Sequence, residues 1–363
     1  MNRTSLYLSN ANLTPSSYYR LTQYFVHTGA KFHSTLPDCV YTWWHSRNRL
    51  GKLIWSPFLY LFYVLRTLLF LLTDTLTMRH DTIIISRTIV PHHLPLFHKL
   101  LIMQLAKHNK IIWDFDDNII ENRSCPKTDF LFYTKNCHMI VTTSDILLSL
   151  IEPEYRSKVT LLPTTDGDML SYDMLSVMTE REHSYTKEVR LIWVATASSL
   201  DYIRSIIPAL DEAARMLKKE LSKQLSLHIV CNKPLVASTL DLNIVNIRWE
   251  RERAKQEMLD AHIGIMPLPD NTFTRGKGGF KLIQYMSASL PVIGSNVGFN
   301  SQVITENTGF LVTGKDNDWQ YAILTLASNW DTYSLYANNA RKHYDDCFSY
   351  NKNKAFWEKN CKS

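Results

Sequence analysis

No two of the six cysteines (Cys39, Cys125, Cys137, Cys231, Cys347, Cys361) are spaced as a CxxC pair. Scattered cysteines in a chain of this length speak against a disulfide frame or a thiolate zinc site and fit reduced thiols. The thirteen histidines bring no set at metal spacing, and His92-His93 reads as part of a loop. No Ser-His-Asp grouping, internal repeat or low-complexity tract stands out. The opening Met1-Asn2-Arg3-Thr4-Ser5 lacks the apolar core of a secretory signal, so the cytoplasm is the expected compartment. Excess charge is scarce too: 40 Lys+Arg against 34 Asp+Glu leave a net +6. That suits an anionic small ligand or an acidic membrane surface. It falls short of the basic stripe of a nucleic-acid binder, so no nucleic-acid partner is expected.

What is present is ample apolar material, 45% of 363 residues, enough for two α/β domains of ordinary size. Short apolar runs alternate with helical patterns, as in parallel-sheet domains. In the first half the runs Ser5–Leu8, Thr82–Ser86, Lys110–Asp114, His138–Thr142 and Val159–Pro163 read as strands. A helix is expected from Thr14, with its hydroxyl cap and early proline, to Gly29. A polar stretch, Thr164 to Lys187, shows no period and reads as the crossing between domains. The alternation then restarts, with strands at 189–194, 225–230, 245–249, 263–266 and 291–294 and helices at 201–219, 251–260 and 279–289. The expected domains are 1–175 and 186–345, with a last helix in 346–363 crossing back to the first. Tandem α/β units of this kind would face their strand ends into a cleft, the expected place of the active site.

Leu53 to Leu72 has 16 apolar residues in 20, preceded by Arg47, Arg49 and Lys52. Its length permits a membrane span. Thirteen Leu, Ile, Phe and Val at about −0.5 kcal/mol each outweigh Arg66 at about +3. A span would cut the first strand off from its sheet, so a helix buried between layers is favoured over one lying in the membrane interface.

The densest chemical signal runs from Met266-Pro267-Leu268-Pro269-Asp270 through Thr274-Arg275-Gly276-Lys277-Gly278-Gly279-Phe280-Lys281-Leu282-Ile283-Gln284. A buried strand ends in a proline-rich loop, then glycines and cations open a helix. Glycines let backbone N–H groups approach a ligand, and a helix N-terminus attracts phosphate. With a helix starting near Lys277, the side chains of Lys277, Lys281 and Gln284 fall at i, i+4 and i+7, on one face. A second strand-to-helix turn, Ala195-Thr196-Ala197-Ser198-Ser199, offers Thr196 and Ser198 and further N–H donors. Together they suggest a diphosphate site; a solvated basic helix start is the plainer alternative.

The stretch RGKGGFKLIQYMSASLPVIGSNVGFN, with IGIMPLPD before it and TGFLV after it, resembles the donor-site signature of family 4 (group 1) glycosyltransferases. The resemblance covers residues 189–315 well and the first half loosely. It implies a GT-B fold of two Rossmann-like domains, with a nucleotide sugar held mainly by the second. It further implies Arg275, Lys277 and Lys281 on the donor diphosphate, Gln284 at the ribose and Phe280 at the turn under the phosphates. Val297, Gly298 and Asn300 would lie near the transferred sugar. Three departures stand out. Gly276 and Gln284 occupy positions where many members carry two glutamates, Ala195 replaces a common glycine, and His262 a common aspartate. An amide still hydrogen-bonds a hydroxyl but accepts less strongly than a carboxylate.

In the first half, Trp113-Asp114-Phe115-Asp116-Asp117-Asn118 sets three carboxylates directly after a strand. Acceptor binding, a metal site, an aspartyl nucleophile at Asp114 or Asp116, and a plain acidic cap all remain open on the residues. Because the cations near Lys277 already serve a leaving diphosphate, no metal or other cofactor is expected, and Asp116, Asp117 and Lys281 are the catalytic candidates. Arg20 and Arg87 read as surface cations, with a phosphate contact as the other reading. The expected activity is transfer of a sugar from a UDP- or GDP-linked donor to a glycan or lipid-linked glycan in surface polysaccharide synthesis. The resemblance implies retention of configuration. A non-catalytic binding member and an Mg²⁺-dependent aspartyl phosphatase are the alternatives. Peripheral contact with the inner face of the cytoplasmic membrane through 53–72 is a further expectation.

Overall fold

Runs such as Thr82-Ile83-Ile84-Ile85-Ser86 are buried along their whole length, which only a strand covered on both faces allows. The computed structural model describes residues 3–79 and 81–361. The chain divides into two compact units: Met1–Thr164 with Gly276–Gly278 and Asn351–Ser363, and Thr165–Arg275 with Gly279–Tyr350.

The first unit carries β1 (Thr4–Leu8), β2 (Lys31–Ser34), β3 (Thr82–Ser86), β4 (Lys110–Asp114), β5 (Met139–Thr142) and β6 (Val159–Leu161). They form one sheet in the order β2-β1-β3-β4-β5-β6, parallel at every pairing. The order turns back between β1 and β3. The core on one face gathers Tyr7, Ile83, Ile85, Trp113, Phe130 and Tyr133. Residues from the helix Tyr350–Cys361 complete this unit. Trp357 meets the Phe25 ring edge-on, the Asn353 amide donates to the Pro163 carbonyl at 2.7 Å, and the Lys110 ammonium donates to the Asn360 carbonyl at 3.0 Å.

The second unit carries β7 (Glu188–Val194), β8 (Gln224–Cys231), β9 (Asn243–Arg248), β10 (Ile263–Met266), β11 (Val292–Ser295) and β12 (Gly309–Val312). Their order is β12-β11-β10-β7-β8-β9, again parallel. Counted within the unit this is 3-2-1-4-5-6, the doubly wound order, and its topological switch point lies between β7 and β10.

The structure departs from the sequence reading at several elements. Strand β2 and the helix Asp38–Ser46 precede the long apolar helix. Lys31-Phe32-His33-Ser34 is too short and polar to show a strand period, and β1 pairing creates it. The expected helix 14–29 is three short turns ending at Phe25, the middle one a π-turn. Helix 201–219 breaks into Leu200–Arg204 and Ile207–Leu221, where Pro208 supplies no N–H and starts the second piece. The polar stretch after Thr164 contains the helix Met174–Tyr185, capped by the Asp173 carboxylate accepting from the Leu175 N–H.

The apolar segment forms the helix Arg49–Thr77, capped by Asn48. It is not buried between layers: only 11% of its most apolar window is buried. Pro57 leaves the Leu53 carbonyl without an N–H, and the Ser56 hydroxyl donates to it at 3.0 Å. The far end is fixed by Asp74, whose carboxylate accepts from Ser5, Tyr7, Lys31 and His33 of β1 and β2 at 2.8–2.9 Å.

Candidate functional site

In the second unit the loops leaving β7 and β10 diverge at the switch point, where open α/β sheets bind ligands. The first loop is the single turn Ala197–Ser199, with Thr196 and Ser198 exposed and their hydroxyls paired at 2.9 Å. The Ala197 N–H is already given to the Asn232 side chain at 2.8 Å, so this turn offers fewer N–H groups than its sequence suggests.

The loop after β10 is tightly built. The Asn271 side-chain oxygen accepts from the Thr274 N–H, nucleating the short helix Thr272–Arg275. Arg275 is exposed and forks onto the Asp270 carboxylate at 2.5 and 2.8 Å. The chain then passes through Gly276–Gly278 and enters the helix Phe280–Ser287 from Gly279, whose φ of +63° is left-handed. The helix therefore starts three residues later than the sequence reading assumed. Lys277 precedes it and shares no helical face with Lys281 and Gln284, which do stand one turn apart at i and i+3.

What seats this helix is Tyr285. Its hydroxyl accepts from the Val194 N–H at the end of β7 at 2.9 Å. Its ring fills the space over Gly264 of β10, where a Cβ would come within 2.3 Å. Behind it, Arg181 is fully buried and gives its guanidinium to four carbonyls: Met258 and Leu259 of one helix end, Ala288 and Ser289 of the other. Against the glycine loop lies Gly298, at φ +56°, where a Cβ would sit 2.3 Å from the Arg275 carbonyl. Asn300 is buried and its amide donates to the Ser295 carbonyl at 3.1 Å, holding the turn after β11. Phe280 and Lys281 are half-buried.

Gln284, assigned to a ribose by resemblance, is buried and its amide donates to the Asp166 carboxylate at 2.7 Å. The other Asp166 oxygen accepts from the Asp168 N–H at 2.6 Å, and Tyr344 donates its hydroxyl to the Asp166 carbonyl. Burial first, and then the nearby Asp168 charge, push the Asp166 carboxyl up to about 7. Nothing in the sequence marked Asp166, which sits in the stretch without period. His262 is a packing residue. Its Nδ1 accepts from the Arg190 N–H at 3.0 Å, and burial followed by the Arg181 charge lowers its pKa to about 3.

In the first unit, the acidic run after β4 is tied down by arginines that the sequence read as surface cations. Arg20 is buried and forks onto Asp114, while its remaining N–H groups reach the Leu162 carbonyl and the Thr164 hydroxyl. Burial pushes the Asp114 carboxyl above its ordinary value despite that partner. A carboxylate so enclosed does not present itself as an aspartyl nucleophile. Arg87, in a left-handed backbone conformation just after β3, bridges Asp116 and Asp117 at 2.7 Å each. Burial opposes ionisation of Asp116, but Arg87 and then Arg20 outweigh it and hold the carboxyl below the usual range. The Trp113 indole N–H fixes the Arg87 carbonyl at 2.8 Å. Among the described residues no three His, Cys, Asp or Glu side chains gather as a metal-binding group.

The sequence model of the family "Glycosyl transferases group 1" matches residues 190–329. No curated protein sequence matches the chain. Among solved structures, the sucrose-phosphate synthase of Thermosynechococcus elongatus superimposes with a TM-score of 0.65 at 14% identity, over 99% of this chain and 98% of that one. HepE of Anabaena, solved with UDP, gives 0.63 at 10% identity over 99% of both chains. A glycosyltransferase of Rickettsia africae gives 0.61 at 12% over 100% of this chain and 99% of its own. These likenesses give the fold, and the family match places its domain. The chain has the GT-B fold, and its residues 190–329 match a group 1 glycosyltransferase domain.

Proposed function

We propose that the second unit binds a UDP- or GDP-linked sugar and that the enzyme passes this sugar to a hydroxyl of a glycan or lipid-linked glycan, with retention and without a metal, in surface polysaccharide synthesis. The observation that carries the donor reading is the glycine-opened helix Phe280–Ser287 standing at the switch point of a doubly wound sheet. Its N-terminus points the positive end of the helix dipole at the loop, and Lys277, Lys281 and Arg275 bring cations to the same loop. The difficult step is departure of the nucleotide diphosphate from the anomeric carbon. Preorganised cations and N–H donors stabilise that developing charge, by roughly 3–4 kcal/mol per well-placed donor. Retention places the incoming hydroxyl on the leaving-group side, so a leaving diphosphate oxygen takes its proton. The structures of HepE with UDP and with UDP-glucose support the uridine series as the first to try. Asp116 and Asp117, held by Arg87, are assigned to acceptor hydroxyls, because ion-paired carboxylates keep lone pairs for that use.

The test is thermal unfolding with UDP, GDP and their sugar conjugates, with and without EDTA. Ligand at a hundred times its dissociation constant stabilises by about 2.7 kcal/mol. A shift with one nucleotide series, indifferent to EDTA and lost in Lys281→Ala, is expected. Absence of a shift with every nucleotide would overturn the donor assignment.

A further inference from the structure

The helix Arg49–Thr77 has two apolar sides with different surroundings. One packs on the first unit: Leu59 and Leu71 are buried, the Thr67 hydroxyl pairs with His98 at 2.9 Å, and Asp74 is held by four partners from β1 and β2. The other is bare. Leu50, Ile54, Phe58, Leu61, Leu65 and Leu69 follow at steps of four, four, three, four and four, and the row continues to Leu76, which is 83% exposed. These steps keep one helical face. At 1.5 Å per residue the row is about 39 Å long. The neighbouring helix Leu96–Ala106, which packs on the anchored side through His98, exposes Leu96, Phe97, Leu100 and Met103 as well. Single exposed leucines are ordinary, but an apolar row of this length beside a second apolar helix marks an interaction surface.

Charge and aromatic placement indicate what covers it. Between Asp38 and Asp74 the sequence contains no acidic residue, while Arg47, Arg49 and Lys52 cluster at one end of the row. There Arg47 lies over the Trp43 ring at 4.6 Å, Lys52 over Trp44 at 5.7 Å, and Trp43 meets Trp55 edge-on at 5.6 Å. Cations and tryptophans bordering an apolar face are the groups that settle at a lipid headgroup layer. Beside them a groove of about 450 Å³ opens between Val40, Trp43, Trp55, Phe58 and Phe62. A span is ruled out by the anchored side, because Thr67 and Asp74 could not enter a bilayer core without leaving their partners. Arg66, midway along, is already satisfied by the Ser34 carbonyl at 3.0 Å and the face of Phe70.

We propose that this apolar surface lies in the interface of an anionic lipid membrane, with the aromatic groove receiving one acyl chain. The inference involves the first unit alone and is independent of the donor reading. The test is flotation of the full chain with phosphatidylcholine vesicles, with and without phosphatidylglycerol. Flotation with the anionic vesicles, weakened by salt, is expected. Leu61→Glu/Leu65→Glu and, separately, Leu96→Glu/Phe97→Glu should lower partitioning about tenfold or more while circular dichroism and melting stay unchanged. Arg47→Ser/Arg49→Ser/Lys52→Ser should remove the preference for phosphatidylglycerol. No flotation, flotation indifferent to both glutamate pairs, or a dimer in light scattering that Leu61→Glu/Leu65→Glu dissolves without any vesicle binding would each overturn the proposal.

Discussion

Gln284 donates its side-chain amide to the buried carboxylate of Asp166 across 2.7 Å, and that pairing decides what position 284 can be. The resembling family commonly has a glutamate there. With Asp166 fully buried beside it, a second carboxylate would meet the first at hydrogen-bond distance, where two like charges cannot both ionise. Gln284→Glu alone should therefore destabilise the fold at pH 8 by about 2–4 kcal/mol, and less at pH 5.5, where the pair can share a proton. Asp166→Asn/Gln284→Glu exchanges amide and carboxylate and should recover most of the loss. Urea midpoints of the two single variants and the double variant measure this; strictly additive effects would refute the coupling.

The same carboxyl gives the fold a pH dependence of definite sign. Its folded value near 7 lies above the 3.8 of the unfolded chain, so between these values the native state holds the extra proton. Stability contributed there falls as pH rises, by at most roughly 4 kcal/mol over the window. Asp166→Asn has no such titration, so subtracting its unfolding free energy from that of the natural protein should give a difference that falls as pH rises from 5 to 8. An unchanged slope would show that Asp166 is not the responsible group.

Arg181 joins the ends of two helices by filling four buried carbonyls, among them those of Ala288 and Ser289 directly after the helix Phe280–Ser287. Its removal strands acceptors that no water reaches. Arg181→Ala should cost about 3–5 kcal/mol, and Arg181→Lys should recover only part, since an ammonium cannot fork across both helix ends. Chemical denaturation of the three proteins tests the ordering.

All strands but β2 and β12 were readable, because buried runs such as Ile263–Met266 carry their signal locally. The loop proposed to hold the donor stood out in the sequence because glycines and cations crowd together from Arg275 to Lys281. Strand β2 was not, since Lys31–Ser34 becomes a strand only through β1. Asp166 and Arg181 escaped notice for a related reason. Their importance lies in contacts with residues about a hundred positions away, to Gln284 and to Ala288, and polar residues in an aperiodic stretch do not announce long-range partners. Arg20 and Arg87 were misjudged as surface cations because an arginine's burial depends on a carboxylate that folding brings from β4 and the turn after it.

Gly298 combines two constraints that no other residue meets. Its φ is +56°, and a Cβ would stand 2.3 Å from the backbone carbonyl of Arg275. Backbone cannot swing aside as a side chain can, so Gly298→Ala must displace one of two loops beside the helix Phe280–Ser287, the proposed donor site. Loss of at least about 2 kcal/mol is expected, together with a weaker nucleotide shift in the melting assay. Gly314→Ala is the control: its φ is also positive, yet no atom lies within 4 Å of its missing Cβ. It should cost stability without altering nucleotide binding. Equal effects of the two variants on the nucleotide shift would remove the steric argument.

Asp74 contributes with the opposite pH sign to Asp166. Burial works against its ionisation, but hydrogen bonds from His33, Lys31 and Ser5 outweigh it, and the carboxyl titrates well below its ordinary 3.8. The stability it supplies is present above that value and is lost as pH falls beneath it. Asp74→Asn offers an N–H₂ to a site built of donors and should cost about 2–4 kcal/mol at neutral pH. The variant should also lack part of the acid-induced loss below pH 4, so its curve and that of the natural protein converge there. Because Asp74 fixes the end of the helix Arg49–Thr77 to β1 and β2, hydrogen exchange in the last two turns of that helix should quicken in the variant while its first turns stay unchanged. Unchanged exchange in those last turns would mean that Thr67 and Leu71, rather than Asp74, hold that end in place.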